Sequence, residues 1–184
     1  MRYDGPVRRP IALALLLFFA ACAPSRAALR PGDAARLGER FDLRARDVEG
    51  RPRTVAGYTT GRVALIDVWA TWCKPCRQSL PAWEELRRRF DGRLAVVAIS
   101  IDEDSRQLPK FLAGLDLGYP VLWDRGGGEA LARLALEKVP TLLVLDRAGR
   151  VRHVHEGWFG ASTVEAIEAE VAALLAEDAA RPAP

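Results

Sequence analysis

The chain has 184 residues, of which 49% are hydrophobic and 28% are charged. This balance is typical of one compact domain with a sizeable core plus a short extension, and it excludes global disorder. The formal net charge is only +3, and from Cys22 onward 24 basic residues stand against 23 acidic ones. No basic surface large enough for nucleic-acid binding is therefore expected.

The N-terminal segment has the three parts of a secretory signal. Basic residues precede an apolar run at 11–21 that is short for a transmembrane helix, and small residues precede the break. We therefore predict a signal peptide over residues 1–21. The Phe-Ala-Ala-Cys sequence at 19–22 resembles a bacterial lipobox, which predicts lipidation of Cys22, although Phe19 stands where leucine is usual. Ordinary cleavage nearby and an uncleaved anchor are the alternatives, and all three export the domain.

A tether and a hairpin come next. Residues 22–38 are rich in Pro, Arg, Ala and Gly without a clean apolar period, which predicts a flexible tether. The sequence then alternates at 41–44, turns at 48–52 and returns at 53–55, the pattern of a β-hairpin. We expect this hairpin to cover an edge of the main sheet.

Two cysteines lie where a buried strand gives way to a helix. The β-branched, apolar run at 63–69 predicts the strand, and residues 77–90 predict the helix. Cys73 would lie at the helix N-terminus, where unpaired N–H groups and the helix dipole favour a thiolate. Cys76, one turn further on, would be more buried and act as the resolving thiol. This geometry supports disulfide exchange.

A zinc site is the main alternative for a C-x-x-C pair, and the composition argues against it. The third cysteine, Cys22, belongs to the signal segment, and no second C-x-x-C or H-x-x-x-H completes a tetrahedral site. Between the two cysteines, Lys74 favours the thiolate of Cys73 and Pro75 stiffens the turn.

Asp67 interrupts the apolar run of the first core strand. A buried acid costs several kcal/mol unless it is neutral or paired. We therefore predict that Asp67 accepts the proton of Cys76 through a water, the alternative being an ordinary polar residue of the strand.

The rest of the chain predicts an alternation of strands and helices. A second apolar run at 94–101 predicts a strand parallel to the first. The acidic residues at 102–104 predict a helix start, and 118–122 predicts a short strand. Three glycines at 126–128 open a helix that carries Leu136; a phosphate-binding turn is the alternative, but no nucleotide motif accompanies it.

The C-terminal part predicts a hairpin and a helix. Strands at 141–146 and 151–156 are joined by a turn, and Ser162 is predicted to cap a final helix. Residues 178–184 are predicted to be a loose tail.

With these elements in place, the chain resembles the thioredoxin superfamily, and within it the TlpA/ResA-like membrane-anchored thiol–disulfide oxidoreductases. The resemblance covers residues 38–177 and rests on Trp-Ala-Thr-Trp-Cys-Lys-Pro-Cys at 69–76, Pro81 in the following helix, Val-Pro-Thr at 139–141, and Gly157. It implies an α/β thioredoxin fold over residues 39–177: a central mixed sheet flanked by helices, an N-terminal β-hairpin and a central helix–strand insertion.

The resemblance also implies site residues. Val139, Pro140 and Thr141 would form a loop with a cis-proline that faces the cysteines, and the Val139 backbone would pair with an extended client. Gly157 would lie in the neighbouring loop of the substrate groove, and Trp158 would either line that groove or pack in the core.

Three further positions bear on the active site. Trp72 is expected to cover the thiols. Asp67 matches the buried acid of ordinary thioredoxins, and Ser79 stands where many membrane-anchored relatives carry Glu. The direction of electron flow is therefore left open.

Taken together, these features predict an exported, lipid-anchored thiol–disulfide oxidoreductase on the periplasmic side of a bacterial membrane. By resemblance it would be a reductant of client protein thiols, such as those of apocytochrome c before haem attachment. A membrane thiol transporter would supply the electrons. We expect a monomer that needs no metal and no cofactor besides the Cys73–Cys76 disulfide.

A protein of another class remains an alternative: a copper-binding assembly factor that uses the thiols with His153 or His155. Two half-exposed strand histidines are the plainer interpretation, and such factors usually place three residues between their cysteines. A peroxidase is weaker still, because the threonine-containing loop that activates a peroxidatic cysteine is not visible around Cys73.

Overall fold

The computed structural model describes Met1, residues 37–134 and residues 136–179. Apart from Met1, the predicted signal peptide lies outside the described residues, as do Cys22, the tether up to residue 36 and the tail from residue 180. The strands are β1 (Arg44–Asp47), β2 (Pro52–Thr54), β3 (Val63–Trp69), β4 (Leu94–Ser100), β5 (Val121–Trp123), β6 (Thr141–Leu145) and β7 (Val151–Glu156). The helices are α1 (Ala56–Thr59), α2 (Lys74–Arg89), α3 (Gln107–Leu112), α4 (Gly128–Leu134) and α5 (Ala161–Ala179), with a 3-10 turn at Arg125–Gly127 before α4.

The described residues form one mixed sheet of seven strands in the order β2-β1-β5-β4-β3-β6-β7. Its centre is the parallel pair β3 and β4, as predicted, and every residue of both strands is buried. Full burial explains why the sequences of these strands are nearly continuous apolar runs, since parallel strands are covered on both faces.

The predicted hairpin extends one edge of this sheet. Strands β1 and β2 pair antiparallel, and β1 also pairs antiparallel with β5. The Asp47 carboxylate closes the turn by accepting hydrogen bonds from the backbone of Glu49 and Arg51. The edge of β5 is thereby covered, which confirms the role expected of the hairpin.

Apolar residues pack on both faces of the sheet. One cluster contains Trp69, Trp83 and Ile167 and joins β3 to α2 and α5. The other contains Ile66 and Ala130 and lies on the opposite face. Because side chains alternate along a strand, Asp67 lies on the same face as Trp69, against α2.

Several predicted helix boundaries are wrong, two of them because a polar side chain forms its hydrogen bonds elsewhere. The acidic residues at 102–104 do not start a helix: α3 begins at Gln107, and Asp102 is bonded to other loops. Ser162 is not the cap of α5 but lies in its first turn, where its hydroxyl donates to the carbonyl of Phe159. Leu136 lies beyond α4, which ends at Leu134.

The predicted limits of the short strand at 118–122 and of the tail also differ from the structure. Strand β5 occupies Val121–Trp123, so it begins three residues later and ends one residue later than the predicted run at 118–122. Helix α5 continues to Ala179, into the segment predicted to be a tail. Among the described residues, none of the helices combines the length and the apolar character that crossing a membrane requires.

A buried carboxylate ties the segment between α3 and β5 to α2. Glu84 is only 4% exposed and accepts hydrogen bonds from Arg87 and Arg88 on its own helix. It also accepts one from the backbone N–H of Gly118, at 3.0 Å, in the segment that leads into β5. The hydrogen bonds from Arg87 lower the pKa of Glu84 to about 2 despite its burial.

We expect Glu84→Gln to lower the free energy of unfolding at pH 7 by about 2 kcal/mol, because the three hydrogen bonds from Arg87 and Arg88 lose their charged acceptor. The pKa of Glu84 is depressed in the folded state, so its contribution is present above the unfolded pKa of about 4.3 and is lost as the pH falls towards 2. Urea unfolding from pH 7 to pH 3 measures this. The exposed neighbour Glu85, changed to Gln, is the matched control and should cost less than about 0.5 kcal/mol.

Candidate active site

The two cysteines lie at the start of α2, directly after the loop that follows β3. Cys73 is the N-cap residue of the helix and has an extended backbone, and Pro75 lies in the first turn, where a missing N–H does no harm. The sulfur of Cys73 accepts the backbone N–H of Cys76 at 3.2 Å. The two sulfurs are joined in a disulfide. As predicted, Cys76 is the more buried: it is 0% exposed, against 6% for Cys73.

A second loop faces the cysteines. The Val139–Pro140 peptide bond is cis, as predicted. The carbonyl oxygen of Val139 lies 3.7 Å from the sulfur of Cys73, a contact and not a hydrogen bond while the sulfur is in a disulfide. The hydroxyl of Thr141 donates to the carbonyl of Lys138, and the N–H of Gly157 donates to the carbonyl of Pro140. The structure therefore brings the predicted loop and Gly157 together beside Cys73.

Asp67 is fully buried beneath the active-site helix. Its Oδ2 accepts the indole N–H of Trp83 at 2.9 Å and lies 3.4 Å from the hydroxyl of Ser79. Burial raises the pKa of Asp67 to about 7, while the two hydrogen bonds act in the opposite direction. Its carboxyl group therefore changes protonation near neutral pH, as a general base must.

Ser79, at the position where many relatives carry Glu, connects Asp67 to the cysteine turn. Its buried hydroxyl donates to the carbonyl of Cys76 at 2.9 Å, which is shorter than its 3.4 Å contact with Asp67. A hydroxyl has one proton, so the bond to Cys76 is the stronger of the two. The Ser79 hydroxyl thus lies between the first turn of α2 and Asp67, and it is not itself ionisable.

Aromatic side chains surround the two loops. Trp69 is fully buried, as predicted, whereas Trp72, beside Cys73, is 68% exposed. Trp158 is half-buried, and its ring meets that of Trp83 edge to face at 5.3 Å. Phe159, which the sequence analysis did not single out, is 75% exposed and follows the Gly157 loop. Lys74 and Pro75 are both exposed.

Asp102 is a site residue that sequence reasoning missed. Its buried carboxylate accepts hydrogen bonds from the backbone N–H and the hydroxyl of Thr71, at 3.0 and 2.7 Å, and from the hydroxyl of Ser100. Its own carbonyl accepts the indole N–H of Trp123. The loop that precedes Cys73 is therefore fixed to the ends of β4 and β5. Trp83 and Glu84 were missed as well; the helical spacing from Cys76 indicates that Trp83 faces the sheet but does not reveal its acceptor.

The two histidines share a face of β7, as predicted, and both contact one carboxylate of α5. His153 Nδ1 lies 3.2 Å from one oxygen of Glu170, and His155 Nε2 lies 2.8 Å from the other. Burial lowers the pKa of His153. Within the described part of the chain, no group of three or more His, Cys, Asp and Glu side chains is arranged to hold a metal ion. The copper-binding alternative therefore has no observation in its favour.

Comparison with known proteins agrees with this geometry. The sequence profile of the AhpC/TSA family matches residues 36–154. The chain is 38% identical over 100 residues to the thioredoxin-like protein YneN of Bacillus subtilis, covering 53% of this chain and 58% of that protein. It is 29% identical over 106 residues to the thiol-disulfide oxidoreductase ResA of Bacillus thuringiensis, covering 57% and 60%. The chain thus spans about three fifths of the length of the curated relatives it matches.

A solved structure is similar over more of its length. It is that of a thiol:disulfide interchange protein DsbE from Chlorobium tepidum, which is 29% identical, with a TM-score of 0.68. The match covers 76% of this chain and 97% of the other. The predicted thioredoxin fold, and the resemblance to TlpA/ResA-like proteins, are therefore confirmed.

Proposed function

We propose that this chain, which belongs to the AhpC/TSA family, is a thiol–disulfide oxidoreductase that exchanges disulfides with client proteins through Cys73 and Cys76. The observation that carries the proposal is the position of Cys73. It caps α2, its sulfur accepts a backbone N–H, and it keeps a small exposed surface beside the Val139 carbonyl. A thiolate at this place is stabilised by the helix N-terminus and is open to attack a partner disulfide.

The first step is attack by the Cys73 thiolate on a client disulfide. A bond forms between Cys73 and one client sulfur, the client S–S bond breaks, and the other client sulfur leaves as a thiolate. An extended client segment would lie along the Val139 backbone, between the exposed rings of Trp72 and Phe159. Trp158 and Gly157 would form the far side of this groove.

The second step releases the client. Asp67 takes the proton of Cys76, and the resulting thiolate attacks the sulfur of Cys73. The mixed disulfide breaks, the second client sulfur leaves with the electron pair and gains a proton, and the Cys73–Cys76 disulfide remains. The first client thiolate takes its proton from water, which also received the proton of Cys73. Two electrons and two protons have then passed to the client, and no cofactor besides the protein disulfide is required. A pKa of about 7 suits Asp67 to this role, because proton acceptors work best near the ambient pH.

We further propose the cellular setting that the sequence predicts. A signal peptide and a lipidated Cys22 would hold the domain, as a monomer, on the periplasmic side of a bacterial membrane. A membrane dithiol transporter would reduce the Cys73–Cys76 disulfide again after each turnover. The clients would be exported proteins that need reduced cysteines, with apocytochrome c as the example that the family resemblance suggests.

The reduction potential of the Cys73–Cys76 couple tests the direction of exchange. It can be measured by equilibration with glutathione, using the fluorescence of Trp72 as the readout. We expect a value near or below about −270 mV, the level of thioredoxin, which is typical of a reductant. A value near about −120 mV, the level of strong periplasmic oxidants, would instead make the protein a disulfide donor.

A further inference from the structure

Trp83 is the principal hydrogen-bond donor to Asp67. It is fully buried on α2, and its indole N–H lies 2.9 Å from Asp67 Oδ2. It stands seven residues after Cys76, about two helical turns, and therefore on the same face of the helix. The same face of α2 thus presents both the resolving cysteine and the donor to the acid.

The position of the Trp83 ring is fixed from two sides. At one end the indole N–H is bonded to Asp67, and the ring itself meets Trp158 edge to face, with an interplanar angle of 87°. Edge-to-face aromatic pairs favour a defined geometry. The indole therefore has little freedom to turn away from the carboxyl group.

The two carboxyl oxygens of Asp67 differ in their hydrogen bonding. Trp83 and Ser79 both approach Oδ2, whereas Oδ1 is buried and has no hydrogen-bond partner among the residues that the structure describes. A buried carboxyl oxygen without a donor is unfavourable, so this oxygen requires an explanation, and accepting a proton is one that the chemistry of a carboxylate allows.

We propose that Trp83 is a positioning residue that holds Asp67 through Oδ2, so that Oδ1 is the oxygen that takes the proton of Cys76. The inference rests on the proposed function, in which Asp67 is the proton acceptor. The proton moves from the Cys76 sulfur to Oδ1, directly or through one water, and the sulfur keeps the electron pair with which it attacks Cys73. Trp83 keeps its own proton throughout.

The indole also favours the charged form of the acid. Its hydrogen bond lowers the pKa of Asp67, in opposition to burial. Without this bond the acid would remain protonated at higher pH, and fewer molecules would be able to accept a proton at neutral pH.

Trp83→Phe tests the proposal, with Trp69→Phe as the matched control. Both tryptophans are fully buried in the same core cluster, but the indole N–H of Trp69 has no partner among the described residues. The readouts are the pKa of Asp67, from the NMR titration of its carboxyl carbon in the reduced protein, and the pH dependence of client release. We expect Trp83→Phe to raise that pKa and to slow release at pH 7 by about fivefold, which is the loss of unprotonated Asp67 that a rise of one unit from about 7 produces. The rate should recover at high pH, and Trp69→Phe should change neither quantity.

The possible failures are distinguishable. If Asp67→Asn has the pH profile of the wild type, Asp67 is not the proton acceptor, and both the acceptor role and the inference fall. If Asp67→Asn abolishes the pH dependence but Trp83→Phe leaves it and the pKa of Asp67 unchanged, only the role of Trp83 is overturned.

A measurement on the wild type covers the case in which Trp83→Phe does not fold. The indole proton resonance of Trp83 should shift with the same pKa as the Asp67 carboxyl carbon. A resonance that does not follow that titration overturns the proposal.

Discussion

With Cys76 replaced by serine, we expect the first encounter with a client disulfide to end in a stable mixed disulfide. The Cys73 sulfur is partly exposed and accepts a backbone N–H, so it can still attack a client disulfide. The serine hydroxyl cannot displace the client, because it is not ionised near neutral pH. Turnover should therefore fall by on the order of 10³-fold or more while the protein–client adduct accumulates. Non-reducing gel electrophoresis after mixing with oxidised insulin detects the adduct.

The matched control is Cys73→Ser. Both variants also carry Cys22→Ser, so that a single thiol remains in each protein. Because Cys76 is fully buried, this variant should neither form the adduct nor reduce insulin. An adduct of equal yield in both variants would show that Cys73 is not the attacking group. Catalytic consumption of peroxide by the parent protein, with no insulin reduction, would favour the peroxidase alternative over disulfide exchange.

The predictable parts of the fold are those that depend on the pattern of residues close together in the sequence. The runs at 63–69 and 94–101 lack polar alternation because β3 and β4 are buried on both faces. The C-x-x-C pair falls at the start of α2 because a strand pattern gives way to a helical one there. The loop at 139–141 was found through family resemblance, since an isolated Val-Pro has no local feature that specifies a cis bond.

The parts that were not predictable depend on contacts between distant residues. Asp102 looked like a helix start because acidic residues favour that place, but its carboxylate instead binds Thr71, 31 positions earlier. Trp83 meets Asp67 across 16 positions, and Glu84 meets Gly118 across 34. In each case the hydrophobic pattern indicates burial but leaves the polar partner undetermined, because a buried donor can bond to any well-placed acceptor.

We expect Asp67→Asn to stabilise the oxidised protein at pH 8 and to have little effect at pH 4. The pKa of Asp67 is raised to about 7 in the folded state, against about 3.9 in an unfolded chain. At a pH between these two pKa values, Asp67 is ionised in the unfolded chain and protonated in the folded protein. Stability therefore falls as the pH rises through this interval, by a total of about 4 kcal/mol, and is constant above it. Asparagine does not ionise, so the variant avoids this loss of stability. Its net gain is smaller by about 1 kcal/mol, because the buried amide N–H₂ group lacks hydrogen-bond acceptors.

Urea unfolding at pH 4, 6 and 8 measures the difference between the two proteins, which should grow to about 3 kcal/mol in favour of the variant. The control is Asp116→Asn, because that side chain is 96% exposed and its replacement should give a small difference that does not grow with pH. A difference for Asp67→Asn that is already large at pH 4 would mean that the acid is not held protonated by burial. The same variant should release clients more slowly at pH 7, since an asparagine side chain cannot take the proton of Cys76. A protein that gains stability while losing turnover would show that Asp67 is kept in the core for its chemistry, at the expense of the fold.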